Sequence, residues 1–485
     1  MKQKLLFSLF VLSAATIAWA DVEINETNFP DENFRSFLLE QEYGSDGVLT
    51  DTEIAGVTSI KVNEKNIQSL KGIEYFTALK ELYSKENQLT SLDVSKNTVL
   101  ECLDCSKNQL TALDVSKNTT LIKLVCYTNQ LTALDVSKNT ALEYLDCGYN
   151  QLATIDIPNN TELKVFFCDH NLLTALDVSK NTALVYLECG SNQLTSIDVS
   201  QNTALWKLYC YENQLTSLDM SKNTALEELL CYENQLTSLD MSKNTALEEL
   251  HCYYNQLTSL DVTKNTALKK MDCWCNNLTE LDVSKNTALV YLDCGLNKLT
   301  TIDVSKNIVL NTFYCDFNQL TTLDVSKNTV LEEMCCDNNQ LTSLDASGCI
   351  ELKMLQCHMN QFKGESMDAL IEKLPTVTEG YLYVLYYENE QNVMTKLQAA
   401  AAKAKGWTLY YCSGFDDEGY EVWDVYEGGV GIEEIKNEEL RMKNEESTDA
   451  VFDLGGRRVN GQWSMINGQL PQGLYIVGGK KIAIK

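Results

Sequence analysis

A cysteine returns every 21 residues, without a miss, from Cys105 to Cys357. The thirteen positions are Cys105, Cys126, Cys147, Cys168, Cys189, Cys210, Cys231, Cys252, Cys273, Cys294, Cys315, Cys336 and Cys357. A period this strict cannot serve one closed hydrophobic core. It describes a coil added to the coil before, with a core that lengthens at each repeat. The full chain of 485 residues is also too long for a single ordinary core.

One unit, residues 100–120, reads LECLDCSKNQL followed by TALDVSKNTT. Its first eleven residues fit LxxLxCxxNxL, the pattern of a leucine-rich repeat. Side chains alternate along the short strand, so Leu103 and Cys105 point inward while residues 102, 104 and 106 point outward. Leu110, Leu113, Val115 and Leu121 close the far side of the coil. One such unit cannot offset the ordering of its own backbone, so stability is collective and both ends need caps. The predicted fold is therefore a leucine-rich-repeat solenoid over residues 57–362, with one parallel β-sheet forming a concave face and short turns on the convex face.

Two asparagine positions and one aspartate position repeat as well. The series Asn87 to Asn360 falls where the chain leaves the strand, and an inward amide there can satisfy backbone groups turned away from the sheet. Asp114, Ser116 and Asn118 are expected to turn the chain on the convex side by bonding to their own backbone. The stacked carboxylates Asp93 to Asp345 invite a calcium-ladder reading. Lys96, Lys117, Lys138 and later equivalents offset their charge, which favours turn residues.

Eighteen cysteines would normally announce disulfides in an exported chain. Ladder spacing argues for buried thiols instead: thirteen is odd, and parallel in-register side chains aim poorly for unstrained bridges. The redox state of the off-ladder Cys102, Cys275, Cys335, Cys349 and Cys412 is open. Acids outnumber bases 68 to 39. That balance repels phosphate backbones and anionic lipid, so a nucleic-acid partner is excluded.

Residues 1–20 read as a secretory signal: Lys2 and Lys4, the apolar run 5–12, and Ala18-Trp19-Ala20 before the cleavage point. No later segment has the uninterrupted apolar length of a membrane span. Residues 21–56 read as a helical cap, with Phe34, Phe37 and Leu38 on one face, Gly44 as a stop and Thr50 to Glu53 as a capping box. Its loop is similar to a worn EF-hand through Glu42, Asp46 and Glu53. Gly44 stands where a second acidic ligand belongs, so a metal is not expected. Nothing calls for a cofactor.

Beyond the repeats, residues 363–412 read as helix 366–374, strand 381–387, helix 392–405 and strand 408–412, an α/β cap extending the sheet in parallel. Residues 413–447 read as an acidic linker. Residues 448–485 read as β-hairpins turning at Gly455-Gly456 and Gly478-Gly479.

The 21-residue unit, its cysteine ladder and its LDVSKNT turns resemble bacterial internalin-like proteins of the internalin J type. Residues 67–88 look like the commoner 22-residue internalin repeat. The resemblance implies a surface or secreted protein that binds host proteins or glycans. The carboxy-terminal stretch resembles the sorting tail of type IX secretion, which implies export machinery as a partner and an extracellular or outer-surface location.

Function is expected on the outward strand positions, which are free of core duty. The column starting at Ser106 gives Tyr211, Tyr232, Tyr253 and Trp274 on four successive coils. Beside it lie Tyr209, Tyr254 and His251 and the carboxylates Glu212, Glu228, Glu233 and Glu249. Lys207 and Lys270 are the bases there. A second outward group comprises Tyr144, Tyr149, Phe167, His170 and Tyr186. Aromatics flanked by acids suit a neutral glycan or a basic and apolar protein patch. The alternative for this ladder is mutual stacking that stabilises the sheet. A passive spacer at the cell surface is the other reading of the whole protein. A thiol enzyme would need Cys275 with His251 or Cys335 with His358, pairs lacking an evident orienting group or pocket.

Overall fold

A computed structural model describes residues 21–416 and 418–428, together with the backbone of three further strands, Val451–Asp453, Gly473–Val477 and Lys480–Ile484. The signal segment, most of the acidic linker and both glycine-pair turns of the tail lie outside the described residues. The chain forms two compact units, Met1–Leu173 and Thr174–Lys485.

The first unit opens with a small cap. Helix α1 (Glu32–Leu39) starts at Asp31, whose Oδ1 accepts from Phe34 N at 2.9 Å, and it buries Phe34 and Leu38. Phe37 is only half-buried. The other carboxylate oxygen of Asp31 accepts from Gln68 N and Ser69 N at 2.7 and 3.1 Å, which ties the cap to the first coil. Helix α2 (Asp51–Gly56) has the expected capping box, with Glu53 N donating to Thr50 Oγ1 and Thr50 N donating to Glu53 Oε2. Glu53 is thereby committed to its helix, and Asp46 Oδ1 accepts from Val48 N. Glu42 lies in a short 3-10 turn. Among the described residues no group of three or more His, Cys, Asp or Glu is arranged to hold a metal ion.

Each coil contributes one three-residue strand to the parallel sheet, and near the end of the repeats Thr322–Asp324 and Ser343–Asp345 pair in parallel as a separate two-stranded sheet where only turns were expected. In the first unit the strands from Ser59–Lys61 to Val165–Phe167 pair in parallel and in register, so Leu82, Leu103, Leu124, Leu145 and Phe166 superimpose with no exposure. In the second unit the same register runs from Tyr186–Glu188 to Met354–Gln356. All thirteen ladder cysteines have zero exposure, and none of the eighteen cysteines is in a disulfide. Where the geometry allows, the thiol donates to a carbonyl of the next coil, as from Cys147 to Phe167 O at 3.5 Å and from Cys273 to Asp293 O at 3.4 Å.

The asparagine after the strand ties consecutive coils together. Asn108 Nδ2 donates to Ser84 O of the preceding coil and to Cys105 O and Ser106 O of its own, while its Oδ1 accepts from Leu89 N. The convex turn splits the expectation. Asp114 Oδ1 does accept from Ser116 N at 2.9 Å, so the aspartates close local turns. The Asn118 side chain does not bond its own turn. It is fully buried, and its Nδ2 donates to Val94 O and Asn97 O of the coil before, forming a second inter-coil ladder.

The second unit ends in a cap of different composition. Helix α3 (Glu365–Lys373) is anchored by Lys373, whose ammonium meets Asp345 at 2.8 Å; this contact and the Ser347 hydroxyl hold the Asp345 carboxyl down to about 2. Strand Gly380–Leu385, helix α4 (Lys396–Ala404) and strand Trp407–Phe415 follow, and both strands extend the sheet in parallel. The last strand overruns the expected linker start at 413. Within that stretch, Glu421–Val425 pairs antiparallel with Trp407–Phe415 and adds a strand the sequence reading missed. The three strands of the tail pair antiparallel.

The first ladder position is Ser84, fully buried with Oγ donating to Asp104 O at 3.2 Å. A hydroxyl is thus accommodated where a thiol stands in later coils. Cys252→Ser should therefore cost no more than about 1 kcal/mol in urea denaturation, whereas Cys252→Leu, which overpacks the coil, should cost about 1–3 kcal/mol. Burial pushes the ladder thiols up, Cys210 to about 12. At pH 8 iodoacetamide should label them only after unfolding, and labelling of the folded chain at these positions would contradict the packing.

Candidate binding face

Register places the outward side chains in columns, but the side chains do not all stand free. In the second unit Tyr211, Tyr232 and Tyr253 stack nearly parallel, at 4.8 Å and 8° and then 4.4 Å and 7°. The stack lies down toward the sheet. Tyr211 is 8% exposed, because its ring covers Gly190: a Cβ built there would meet the ring at 2.5 Å. Its hydroxyl donates to Glu188 Oε1 at 3.1 Å. At the other end Trp274 is 4% exposed and presses on Gly295, 2.7 Å from a Cβ built at that glycine. It meets Tyr254 edge-to-face at 4.8 Å. The four-coil aromatic ladder is therefore a packed layer between two glycines. Only Tyr232 and Tyr253 remain half-exposed within it.

The flanking groups are fixed as well. Tyr209 donates to Glu228 Oε2 at 2.6 Å, and Glu228 also meets Lys207 at 2.7 Å. Tyr186 packs edge-to-face on Tyr209 at 5.0 Å. His251 lies 2.9 Å from Glu249 and 3.9 Å from Asp272; burial opposes its charge, but these two carboxylates outweigh burial and raise its pKa. Glu249 also faces Lys270 at 3.3 Å. Glu212 accepts from Ser191 Oγ at 2.6 Å. Glu212, Glu233, Tyr254 and Cys275 follow the strand with φ between 49° and 53°, a left-handed turn that non-glycine residues rarely adopt.

Glu233 is the strained member. Its Oε1 is buried without a hydrogen-bond partner, and burial followed by the charge of Glu212 pushes its carboxyl up to about 8. It is thus protonated at neutral pH.

The second outward group divides between the two units. In the first, Tyr144 meets Phe167 edge-to-face at 5.7 Å under Lys123, whose Nζ is 4.6 Å from the Tyr144 ring centre. Tyr149, half exposed, stacks on His170 at 3.9 Å, and His170 is held by Asp169 at 2.9 Å. Tyr186 belongs to the second unit.

His358 falls in the outward column that starts at Ser106, yet it does not lie on the open face. It is 4% exposed, stacked on Tyr386 at 5.2 Å and beside Trp423 of the missed strand at 5.2 Å. Burial pushes its pKa down to about 4 and that of Asp337, 3.8 Å away, up to about 6. Burial also holds the Cys335 thiol well above its ordinary range. With thiol and imidazole both held neutral, this pair lacks an activated nucleophile.

Two participants escaped the sequence reading. Glu188 accepts from both Tyr186 and Tyr211. Trp206 stands just ahead of its strand, at a position that other coils fill with charged residues such as Glu143, Lys164 and Glu227 or with the smaller apolar Ile122, Val185 and Val290. The single indole in that mixed column was the available signal.

A parallel stack of leucine-rich coils, closed by caps and presenting ordered aromatic and acidic columns, defines a leucine-rich-repeat protein. Among solved structures it is similar to the functional domain of InlJ from Listeria monocytogenes, described as including a cysteine ladder, at 34% identity and a TM-score of 0.69 over 76% of this chain and 83% of that one. The fold is also shared with an internalin, InlF, of Listeria monocytogenes (22% identity, TM-score 0.58, 73% of this chain and 100% of that one). A leucine-rich-repeat protein of Leptospira interrogans shares it too (23%, 0.57, 67% and 85%). No protein-family model and no curated protein matches the chain. The chain belongs to the internalin-like family, in its cysteine-ladder form.

Because the Glu233 carboxyl has its pKa raised on folding, its contribution is complete below about 4.5 and is lost as pH rises through about 8. Glu233→Gln should leave stability at pH 5 nearly unchanged and raise it at pH 9 by on the order of 2 kcal/mol, less than full linkage because the group is not wholly buried. Urea midpoints at the two pH values test this; equal gains at both would contradict it.

Proposed function

We propose that this is an adhesin-like binding protein, exported to the cell exterior or outer surface, that takes a protein ligand on the outward sheet face of its second unit. The observation that carries the reading is the fixed aromatic and acidic array around Tyr209, Tyr232, Tyr253 and His251. Its rings are held by stacking and its carboxylates by hydroxyls and lysines, so little side-chain freedom remains to be lost on binding. The excess of acids favours a partner patch bearing basic and apolar groups. A glycan reading is weaker, because burial of Tyr211 and Trp274 removes the broad open platform that a sugar ring would stack on. Membership of the internalin-like family supports binding over catalysis, as does the raised thiol of Cys335.

Export rests on the signal-like residues 1–20 and on the tail, where three antiparallel strands are compatible with a sorting module for type IX secretion. Among the described residues no helix is long and apolar enough to cross a membrane.

The test is a screen of the full mature chain against arrays of extracellular proteins and of neutral glycans, followed by Tyr232→Ala with Tyr253→Ala. The double variant should keep its circular dichroism and bind the captured protein at least about 30-fold more weakly, the effect of losing one hot spot. Undiminished capture would remove this face from consideration, and capture of glycans alone would replace the protein ligand.

A further inference from the structure

Four of the inter-coil Lys–Glu pairs are ordinary solvent-facing contacts. In Lys80–Glu101, Lys164–Glu143 and Lys269–Glu248 the lysine side chain is 51–54% exposed, and in Lys353–Glu332 it is 61% exposed. Lys207 is different. Its side chain is 19% exposed, and its ammonium lies 4.6 Å from the ring centre of Trp206, 5.7 Å from that of Tyr186 and 2.7 Å from Glu228 Oε2. The hydroxyl of Tyr209 donates to that same carboxylate oxygen at 2.6 Å. Tyr186 stands edge-on to Tyr209 and tilted to Trp206, at 5.0 and 6.4 Å. Two aromatic faces and a braced carboxylate around one ammonium are the elements that recognise an alkylammonium ligand.

We propose that Tyr186, Trp206, Tyr209 and Glu228 form a receptor for an alkylammonium group, held closed by the chain's own Lys207, and that its ligand is a lysine side chain on a partner protein. This deepens the reading of the sheet face as a protein-binding surface and rests on it. Lys207 acts as an internal stand-in. It opens the strand Lys207–Tyr209 and carries its ammonium on a flexible four-carbon stem, and Trp206, 37% exposed, leaves the rim of the cage in solvent. The resident ammonium can therefore swing out while an incoming one replaces it, with the same charge, the same two rings and the same carboxylate. The exchange keeps the half-buried Glu228 paired at both ends. A neutral or anionic group entering instead would leave that carboxylate without its cation.

The test uses the full chain as wild type, as Lys207→Met and as Lys207→Gln, each checked by circular dichroism. Each is titrated with tetramethylammonium chloride, with N-acetyl-lysine amide and with 3,3-dimethylbutanol, the neutral isostere of the first. The indole N–H resonance of Trp206, assigned through Trp206→Phe, reports occupancy. Vacating the cage should tighten both cations by about tenfold over wild type and leave the alcohol unchanged. No gain in either variant, or an equal gain for the alcohol, overturns the receptor. Retention on phosphocholine vesicles without a gain for the lysine amide overturns the lysine assignment. These outcomes are independent of Tyr232 and Tyr253, so a failed cage with intact partner capture is distinguishable from a failed binding face.

Discussion

One amide per coil, on the asparagine that follows each strand, holds the stack in register. Its nitrogen reaches back to a carbonyl of the coil before, and its oxygen receives an amide from that same coil. A one-residue slip would leave several buried backbone groups unpaired at every coil, at roughly 1–3 kcal/mol each, so the 21-residue spacing is enforced throughout. The second ladder, Asn118 and its equivalents, ties the convex side through the nitrogen alone: Nδ2 donates to two carbonyls of the coil before, while the Asn118 Oδ1 is buried without a hydrogen-bond partner. With both edges of the coil pinned, the strand between them needs only three residues.

The same turn explains where variation is allowed. The residue ahead of the ladder asparagine sits in the left-handed region in coil after coil, from Lys107 to Met359, although none of these residues is glycine. The surrounding amide bonds hold it there, whatever its side chain. Glu, Tyr, His, Ser and Cys all occupy the position, and each is presented at the sheet margin. Rigidity of the backbone is thus the condition for diversity on its surface.

The coil itself was legible in the sequence, because period and alternation follow directly from strand geometry: the buried leucines, the thiol ladder, the capping box at Thr50 and the turn aspartates all stand where spacing puts them. What spacing cannot give is how an outward side chain lies. Tyr211 and Trp274 point outward by register yet fold down, because Gly190 and Gly295 leave room beneath them. Those glycines were visible as members of the column, and their meaning needed the neighbouring coil. His358 failed for another reason: the strand that covers it, Glu421–Val425, lies in an acidic stretch whose composition hides its alternation. Asn118 was misread because a polar residue beside a turn can bond locally or across coils, and only depth decides between them.

These placements change what the face can recognise. An open aromatic column would accept any flat apolar surface, with little discrimination. A layer whose rings are spent on each other, and whose carboxylates are already braced by Tyr186, Tyr209, Tyr211 and Lys207, presents fixed acceptors at fixed positions. On the proposed reading, selectivity would come from groups that can replace an existing partner without leaving a half-buried carboxylate unpaired. Cations meet that condition and anions do not, so on that reading the acidity of the face would select the sign, and the rings around it the shape, of what docks.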